Sequence, residues 1–234
     1  MIARDGLGLI FIGLAGTVGL ALLSTWWDSR IVAVLAALVA LLTVFTVFFF
    51  RDPERHFDDQ PGILIAPADG RILGVEKIGH HDFIGGDAVK VSIFMSILDV
   101  HVNRIPSDGS VEYIKYRPGK FFKAFLDKAS EENEHTEIGI TTLSGHRLVV
   151  KQIAGIIARR IVCHLKQGDT VEAGARFGMI RFGSRGELIV SADSDIHVTT
   201  GDHVKGGATV IGLLPSAVDK AGSYDSTQAK NVEL

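Results

Sequence analysis

Apolar and polar positions follow two different patterns along the chain. The first is a pair of unbroken apolar runs, "GLGLIFIGLAGTVGLALLSTWW" over 6–27 and "IVAVLAALVALLTVFTVFFF" over 31–50, neither with a charged residue. Each has about the twenty residues a helix needs to cross roughly 30 Å of hydrocarbon. Only Asp28, Ser29 and Arg30 separate them, so they predict a tight two-helix transmembrane hairpin with Trp26 and Trp27 at one interface. A buried core helix or a signal peptide accounts poorly for two full-length runs in tandem, since a signal peptide has a shorter apolar region and a small-residue cleavage site. Two crossings return the chain to its starting side. Arg4, Arg51 and Arg55 flank the outer ends and Arg30 alone sits in the loop, which places the remainder on the cytoplasmic side of the cell (inner) membrane.

Beyond residue 50 the apolar runs shorten. "RDPERHFDDQPG" (51–62) reads as a polar exit linker with two prolines. From Ile63 onward, "ILIAPADGRILGVEKI", "AVKVSIFMSI", "SVEYIKY", "TEIGITTL" and "HRLVVKQIAG" are short apolar stretches broken by glycine and aspartate, which predicts strands and turns. One short helix is expected outside the membrane, around "FKAFLDKASEEN", and the tail from Ser216 is expected to be flexible. The expected organisation is a membrane hairpin over 1–52, a catalytic domain over 53–215 and a flexible tail over 216–234.

One internal repeat sharpens the fold class. "QGDTVEAGARFGMI" (167–180) and "TGDHVKGGATVIG" (200–212) share the frame G-D-x-V-x-x-G. In each copy Gly-Asp can form a turn, the valine can enter a core and the second glycine can relax the next bend. Bends of this kind suit a mainly β (α+β) fold, a glycine-rich barrel or sandwich-like domain with lipoyl-like half-motifs.

Charge and cysteine content remove whole classes of function. A formal charge of -3 gives no basic footprint, so no nucleic-acid partner is expected. Cys163 is the only cysteine, which excludes an intramolecular disulfide, and no Cys/His cluster has zinc spacing, so no metal is expected. Oligomeric state is left open, a homo-oligomer included.

Candidate chemistry begins with two decoys. Asp127-Lys128-Ala129 resembles the tripeptide that carries lipoate, and it supports an alternative: a membrane-anchored lipoyl- or biotinyl-like carrier or binding module without self-cleavage. Against it, the glycine-aspartate frames follow the lysine rather than precede it, and the lysine falls in a predicted helix. "FGSRG" (182–186) lacks the gap and lysine of a phosphate-binding loop, and it is one residue short of a hydrolase elbow. Gly183-Ser184 has another use. A serine hydroxyl can attack the carbonyl immediately before it, and glycine there removes the side chain that would crowd the attack. The hydroxyl proton needs a base, usually a histidine held by a carboxylate. His101 in "DVHVNRIP", at a predicted strand end, and Asp69 in the "APADG" turn are the candidates.

Several blocks, in order, then identify a family. "FFFRDPER", "APADGRI", "SIFMSILDVHVNRIP", "YRPGKFFKAFLDKASEENE", "RRIVC", "RFGSR" and "GDHVKGGATVIG" make the chain, between about residues 48 and 212, similar to phosphatidylserine decarboxylase proenzymes of the short type. These are pyruvoyl-dependent membrane enzymes of phospholipid biosynthesis, and the resemblance makes Lys128 part of a family block with no lipoate. It implies self-cleavage between Gly183 and Ser184, giving a large chain of residues 1–183 paired with a small chain of residues 184–234. Ser184 would become a covalent pyruvoyl cofactor with the electron-sink role that pyridoxal phosphate plays elsewhere. Phosphatidylserine in the membrane would be converted to phosphatidylethanolamine and carbon dioxide. Carried over residue by residue, Ser184 is the nucleophile, His101 its base and later a proton donor, and Asp69 the group that orients the histidine. Longer members have "LGST" around the serine and a second histidine three residues after the first. Here the surroundings are "FGSR" and that position is Arg104, which leaves open whether one histidine serves both steps. Arg104 and Arg185 are either partners for the lipid carboxylate or phosphate, or plain salt bridges.

Overall fold

Both apolar runs are helices, α1 (Arg4–Trp26) and α2 (Arg30–Phe49), joined by a turn in which Asp28 has φ 44°. Each is long and apolar enough to cross a membrane. Leu38, Leu41, Leu42 and Val44 point outward, while Thr17 and Thr43 return their hydroxyls to carbonyls one turn back, so neither helix carries a bare hydroxyl at those sites. Gly6 and Gly13 permit close approach, because a Cβ on either would collide with Phe50 or Thr43. At the base of the hairpin, Ala3 N–H donates to Phe50 O (2.8 Å) and Asp52 N–H donates to Met1 O (2.8 Å).

The computed structural model describes residues 1–125, 129–155, 161–180 and 184–215. Lys128, Gly183 and the tail 216–234 therefore lie outside the described residues. The strands are β1 (Ile63–Ile65), β2 (Gly70–His81), β3 (Gly86–Met95), β4 (Val102–Arg104), β5 (Gly109–Arg117), β6 (His135–Thr142), β7 (Arg147–Ile153), β8 (Ile161–Cys163), β9 (Thr170–Val171), β10 (Arg176–Ile180), β11 (Ser184–Ser191), β12 (Asp195–Ile196), β13 (His203–Val204) and β14 (Val210–Leu213). All five stretches expected to be extended are strands. The expected soluble helix is a single turn, α3 (Ala129–Glu132), within the described residues.

Every ladder is antiparallel, and the strand order is nearly self-symmetric. A curled eight-stranded sheet runs β13-β2-β3-β11-β7-β6-β5-β9, with three-stranded sheets β1-β14-β12 and β4-β10-β8 beside it. Exchanging β2-β3-β11 for β5-β6-β7, β13 for β9, and one small sheet for the other maps the fold onto itself about the β11–β7 pair. The G-D-x-V-x-x-G frames are the origin of this symmetry. Gly168, Gly174, Gly201 and Gly207 all have positive φ, which glycine adopts without strain. Asp169 accepts from Lys166 N–H and Asp202 from Thr199 N–H, both at 2.7 Å. Val171 and Val204 are buried, and each frame supplies one edge strand of the large sheet. A second repeat, Pro67-x-Asp69-Gly70 and Pro106-x-Asp108-Gly109, answers the first. Asp69 accepts from Gly206 N–H (2.8 Å) and Asp108 from Ala173 N–H (2.7 Å).

The interior is a single apolar cluster that includes Ile72, Val91, Ile93, Met95, Ile138, Ile140, Leu148 and Leu188. A second cluster joins hairpin to domain: Ala3, Phe49 and Phe50 pack on Val100, Val102 and Met179. The exit linker reinforces this joint. Asp52 is buried and binds Arg104 Nη2 at 2.9 Å, and Arg176 Nε donates to its other oxygen. Arg104 Nη2 also donates to Pro53 O (2.8 Å). Removing one partner of a buried ion pair strands the other charge, so Asp52→Ala is expected to cost about 3–5 kcal/mol. Glu54→Ala, which removes an exposed contact to the same Arg176, should cost under about 1 kcal/mol. Thermal unfolding of the two variants in detergent measures the difference.

Candidate active site

Ser184 opens β11 opposite Met95, the last residue of β3. It is fully buried, and its Oγ donates to Met95 Sδ at 3.3 Å. Thioether sulfur is a weak acceptor, so this contact parks the hydroxyl without consuming a strong hydrogen bond. Alternation along β11 then puts Ser184, Gly186 and Leu188 on one face and Arg185 and Glu187 on the other.

Between β3 and β4 the chain makes a tight turn, with Ser96 N–H donating to Asp99 Oδ2 (2.8 Å) and Asp99 N–H to Ser96 O (3.0 Å). Asp99 O lies 3.0 Å from His101 Nδ1. A carbonyl only accepts, so Nδ1 carries the proton and Nε2 keeps the lone pair. Nε2 is buried and has no hydrogen-bond partner among the described residues. The imidazole lies against Phe49 of α2, with ring centroids 4.2 Å apart. Burial is the main cause of a His101 pKa lowered to about 4, so the ring is neutral at neutral pH.

His101 and Ser184 bracket a short piece of chain. Ile180 N–H donates to His101 O (3.3 Å), so β10 ends beside the histidine, and β11 begins at Ser184. Four Cα–Cα steps separate Ile180 from Ser184, a reach of at most about 15 Å. The end of β10, four residues before Ser184, is therefore held by the histidine's own backbone.

Asp69 stands at the start of β2, where Oδ1 accepts from Gly206 N–H and Oδ2 from Arg55 Nη2 at 2.7 Å. Burial raises its pKa, opposed by the Arg55 charge and the Gly206 N–H. Asp99 and Arg51 act electrostatically on both Asp69 and His101, so the carboxylate and the imidazole share one neighbourhood. The group on His101 Nδ1, however, is the Asp99 carbonyl and not the Asp69 carboxylate. Half of Asp69's hydrogen bonding is the turn contact that Asp108 makes in the other half; the ion pair to Arg55 is its own.

Both candidate arginines are engaged by carboxylates of the chain. Arg104 faces the exit linker through Asp52, and Arg185 lies on the opposite face of β11 from Ser184, 2.8 Å from the fully buried Glu187. Ser92 Oγ accepts from Arg185 Nη2 (2.7 Å) and Ser130 Oγ donates to Glu187 Oε2 (3.0 Å), completing a buried network. Sequence reasoning missed Phe49, Asp99 and Met95. Asp99 had one available signal, its position two residues before the histidine in a strand-to-strand turn. Phe49 had none, because it ends a run that is apolar on all sides.

A buried serine and a neutral histidine thus lie in a mainly β domain at the foot of an apolar two-helix hairpin. The model of the family described as phosphatidylserine decarboxylase matches residues 42–212. Proteins named phosphatidylserine decarboxylase proenzyme are similar along most of their length. The one from Desulfotalea psychrophila is 45% identical, covering 91% of this chain and 96% of its own. That from Symbiobacterium thermophilum is 44% identical over 92% and 96%. That from Granulibacter bethesdensis reaches 50% over 72% and 70%. The chain belongs to the phosphatidylserine decarboxylase family.

The depressed histidine has a consequence for stability. An unfolded histidine titrates near 6.5 and His101 near 4, so the unfolded chain binds more protons between these values. The contribution is fully present above pH 6.5 and is lost as pH falls to 4, amounting to about 3 kcal/mol. On chains carrying Ser184→Ala, going from pH 7 to pH 4 should therefore cost the parent about 3 kcal/mol more than His101→Gln. Denaturant unfolding at the two pH values checks this.

Proposed function

We propose that this chain cuts itself between Gly183 and Ser184, converts Ser184 to a pyruvoyl group, and uses it to decarboxylate phosphatidylserine to phosphatidylethanolamine. The observation that carries the reading is the buried Ser184 hydroxyl together with a buried His101 Nε2 that keeps its lone pair and has no partner among the described residues, the histidine's backbone holding the end of β10 four residues before Ser184.

In cleavage, Ser184 Oγ bonds to the Gly183 carbonyl carbon as the carbon–nitrogen bond breaks, giving an ester and a free amine, with His101 Nε2 taking the hydroxyl proton and passing it to the departing nitrogen. Loss of the Ser184 α-proton then expels the Gly183 carboxylate and leaves a dehydroalanine. One water enters at its α-carbon as ammonia leaves, and the pyruvoyl carbonyl remains. His101 is suited to the first step because burial keeps it unprotonated, and Phe49 excludes water from its face. Asp69, bound to Gly206 N–H and Arg55, shares the electrostatic neighbourhood of Asp99 and Arg51 with the histidine and does not itself bond to the imidazole.

Residues 1–183 and 184–234 then persist as two chains, held by β11 between β3 and β7. The pyruvoyl group supplies the carbonyl that takes the substrate amine and the electrons released with carbon dioxide. His101 holds the proton that returns to the carbon losing its carboxylate. The fit rests on this chain's own atoms: a buried strand-initial Ser184 and a buried imidazole nitrogen with no hydrogen-bond partner among the described residues. Arg104 and Arg185, each already bound to a buried carboxylate, enter as scaffold. The hairpin over 1–52 anchors the domain over 53–215 at the cytoplasmic face of the cell membrane, where a two-chain lipid is met without leaving the bilayer.

Intact-mass measurement tests the reading. A fragment beginning at residue 184 and lighter than its sequence by one ammonia is expected. An uncut chain, or one carrying lipoate on Lys128, would overturn it. Ser184→Ala should stay in one piece, and His101→Ala should slow cleavage by about 10²–10⁴-fold, followed on a denaturing gel.

A further inference from the structure

The turn that orients His101 also presents the soluble domain's apolar face nearest the hairpin. Ile97 and Leu98 at its tip are 44% and 61% exposed. Three hydrogen bonds hold the turn in shape, two between Ser96 and Asp99 and one from Leu98 N–H to Ser96 Oγ (3.4 Å), so the two side chains point outward by construction. Such residues at a rigid loop tip lose hydration free energy unless something apolar receives them.

Position identifies the receiver. Arg51, two residues past α2, donates through Nη1 to Phe48 O (3.0 Å) and through Nη2 to Leu98 O, and its guanidinium lies 4.1 Å from the Phe48 ring centroid. Phe48 is itself exposed, continuing the outward apolar surface of α2 through Val44 and Val47. One cation therefore clamps the loop tip to the end of a membrane-crossing helix, at the level where arginine and aromatic rings sit in an interface. We propose that the Ser96–Asp99 turn dips into the membrane, seating Ile97 and Leu98 in the lipid surface beside His101, and that its partner is the bilayer holding the substrate.

The arrangement links lipid contact to chemistry through Asp99. Its side chain closes the turn by accepting from Ser96 N–H, and its carbonyl fixes the protonated Nδ1 of His101. Lipid that settles the turn thus settles the residue that sets the imidazole's tautomer. The proposal rests on the function above for the identity of the substrate, but not for the depth of the turn.

Two measurements on the full chain separate these. In a Cys163→Ala background, spin labels at Leu98→Cys, Leu41→Cys and Leu143→Cys are compared in vesicles of phosphatidylcholine and phosphatidylglycerol. Leu41 lies on the outward face of α2, and Leu143 is 83% exposed on a turn remote from the hairpin. The label at 98 should share with that at 41 a preference for relaxation by oxygen over an aqueous nickel chelate. A label at 98 as accessible to nickel as that at 143, or one broadened by a second copy, overturns the proposal whatever the enzyme does. In the second measurement, an Ile97→Ser, Leu98→Ser double variant should cleave itself normally. It should lose about tenfold or more in kcat/KM on vesicle phosphatidylserine and keep its rate on a short-chain, monomeric phosphatidylserine. Equal loss on both substrates, or on neither, overturns it. Absence of decarboxylation by the parent chain overturns the function and leaves the label result standing.

Discussion

The pairing of β11 with β3 on one side and β7 on the other is the constraint on which the remaining structure depends. Eight residues of β11, Ser184 to Ser191, are matched to β3, and five of them, Arg185 to Ile189, also to β7. Every one from Ser184 to Val190 is buried. β11 thereby performs three tasks. It joins the two half-barrels, it carries Ser184 at its first position, and under the proposed cut it would hold the segment after residue 183 to the rest of the molecule without a covalent link. A strand bonded on both edges and buried on both faces retains its partners because each lost pairing would leave a backbone group without water or protein to satisfy it. The segment after Ser184 also brings β12, β13 and β14, which complete the half-barrel begun by β1, β2 and β3. The proposed cut at 183–184 falls where the chain crosses from one half to the other: it leaves β4 to β10 in one piece and divides the other half into β1–β3 and β11–β14, which the β3–β11, β2–β13 and β1–β14 ladders hold together.

Near-symmetry makes the differences between the halves informative. Asp69 and Asp108 do the same service for the turns at Gly206 and Ala173, yet only Asp69 is also bound by an arginine of the exit linker. Ser184 and Arg147 both begin the central strand of their half, and only the former is sealed from solvent. The half holding Ser184 carries an ion pair and a buried strand start that its counterpart lacks, while the counterpart receives the hairpin through Val102 and Met179. Asp69 accordingly combines an inherited turn contact with a site-specific charge, which explains why it does not touch His101 and yet shares its electrostatic surroundings.

Much of this was legible in the residues. Unbroken apolar length identified α1 and α2, and short apolar stretches between glycine and aspartate located β1, β2, β3, β5, β6 and β7. The G-D-x-V-x-x-G frames showed half-barrels because a left-handed glycine and a turn-closing aspartate leave a visible trace. The two-fold arrangement was harder to read, because one half is split into 63–95 and 184–215 around the other, and Pro-x-Asp-Gly is a short pattern. In the site, Ser184 and His101 followed from the chemistry of a peptide cut at Gly-Ser. The contact to Nδ1 did not, since a main-chain carbonyl can come from any residue and Asp99 offers no side-chain signal for it. Arg104 and Arg185 resemble lipid ligands in sequence, because nothing along the chain shows that Asp52 and Glu187 are buried beside them.

Phe49 shows how far the hairpin exceeds the role of anchor. Its ring belongs at once to the last turn of α2, to the cluster with Val100, Val102 and Met179, and to the wall of the His101 site. Moving the hairpin against the domain would therefore open the apolar joint, hydrate the imidazole and raise its basicity together. The buried Asp52 pairs with Arg104 and Arg176, a few residues further on, resist that movement, because sliding them apart exposes no compensating partner to either charge. Ion pairs at the linker, an aromatic wall on the histidine and a clamped turn beside it thus form one connected joint. Through it, the orientation of the His101 ring is tied to that of the apolar hairpin.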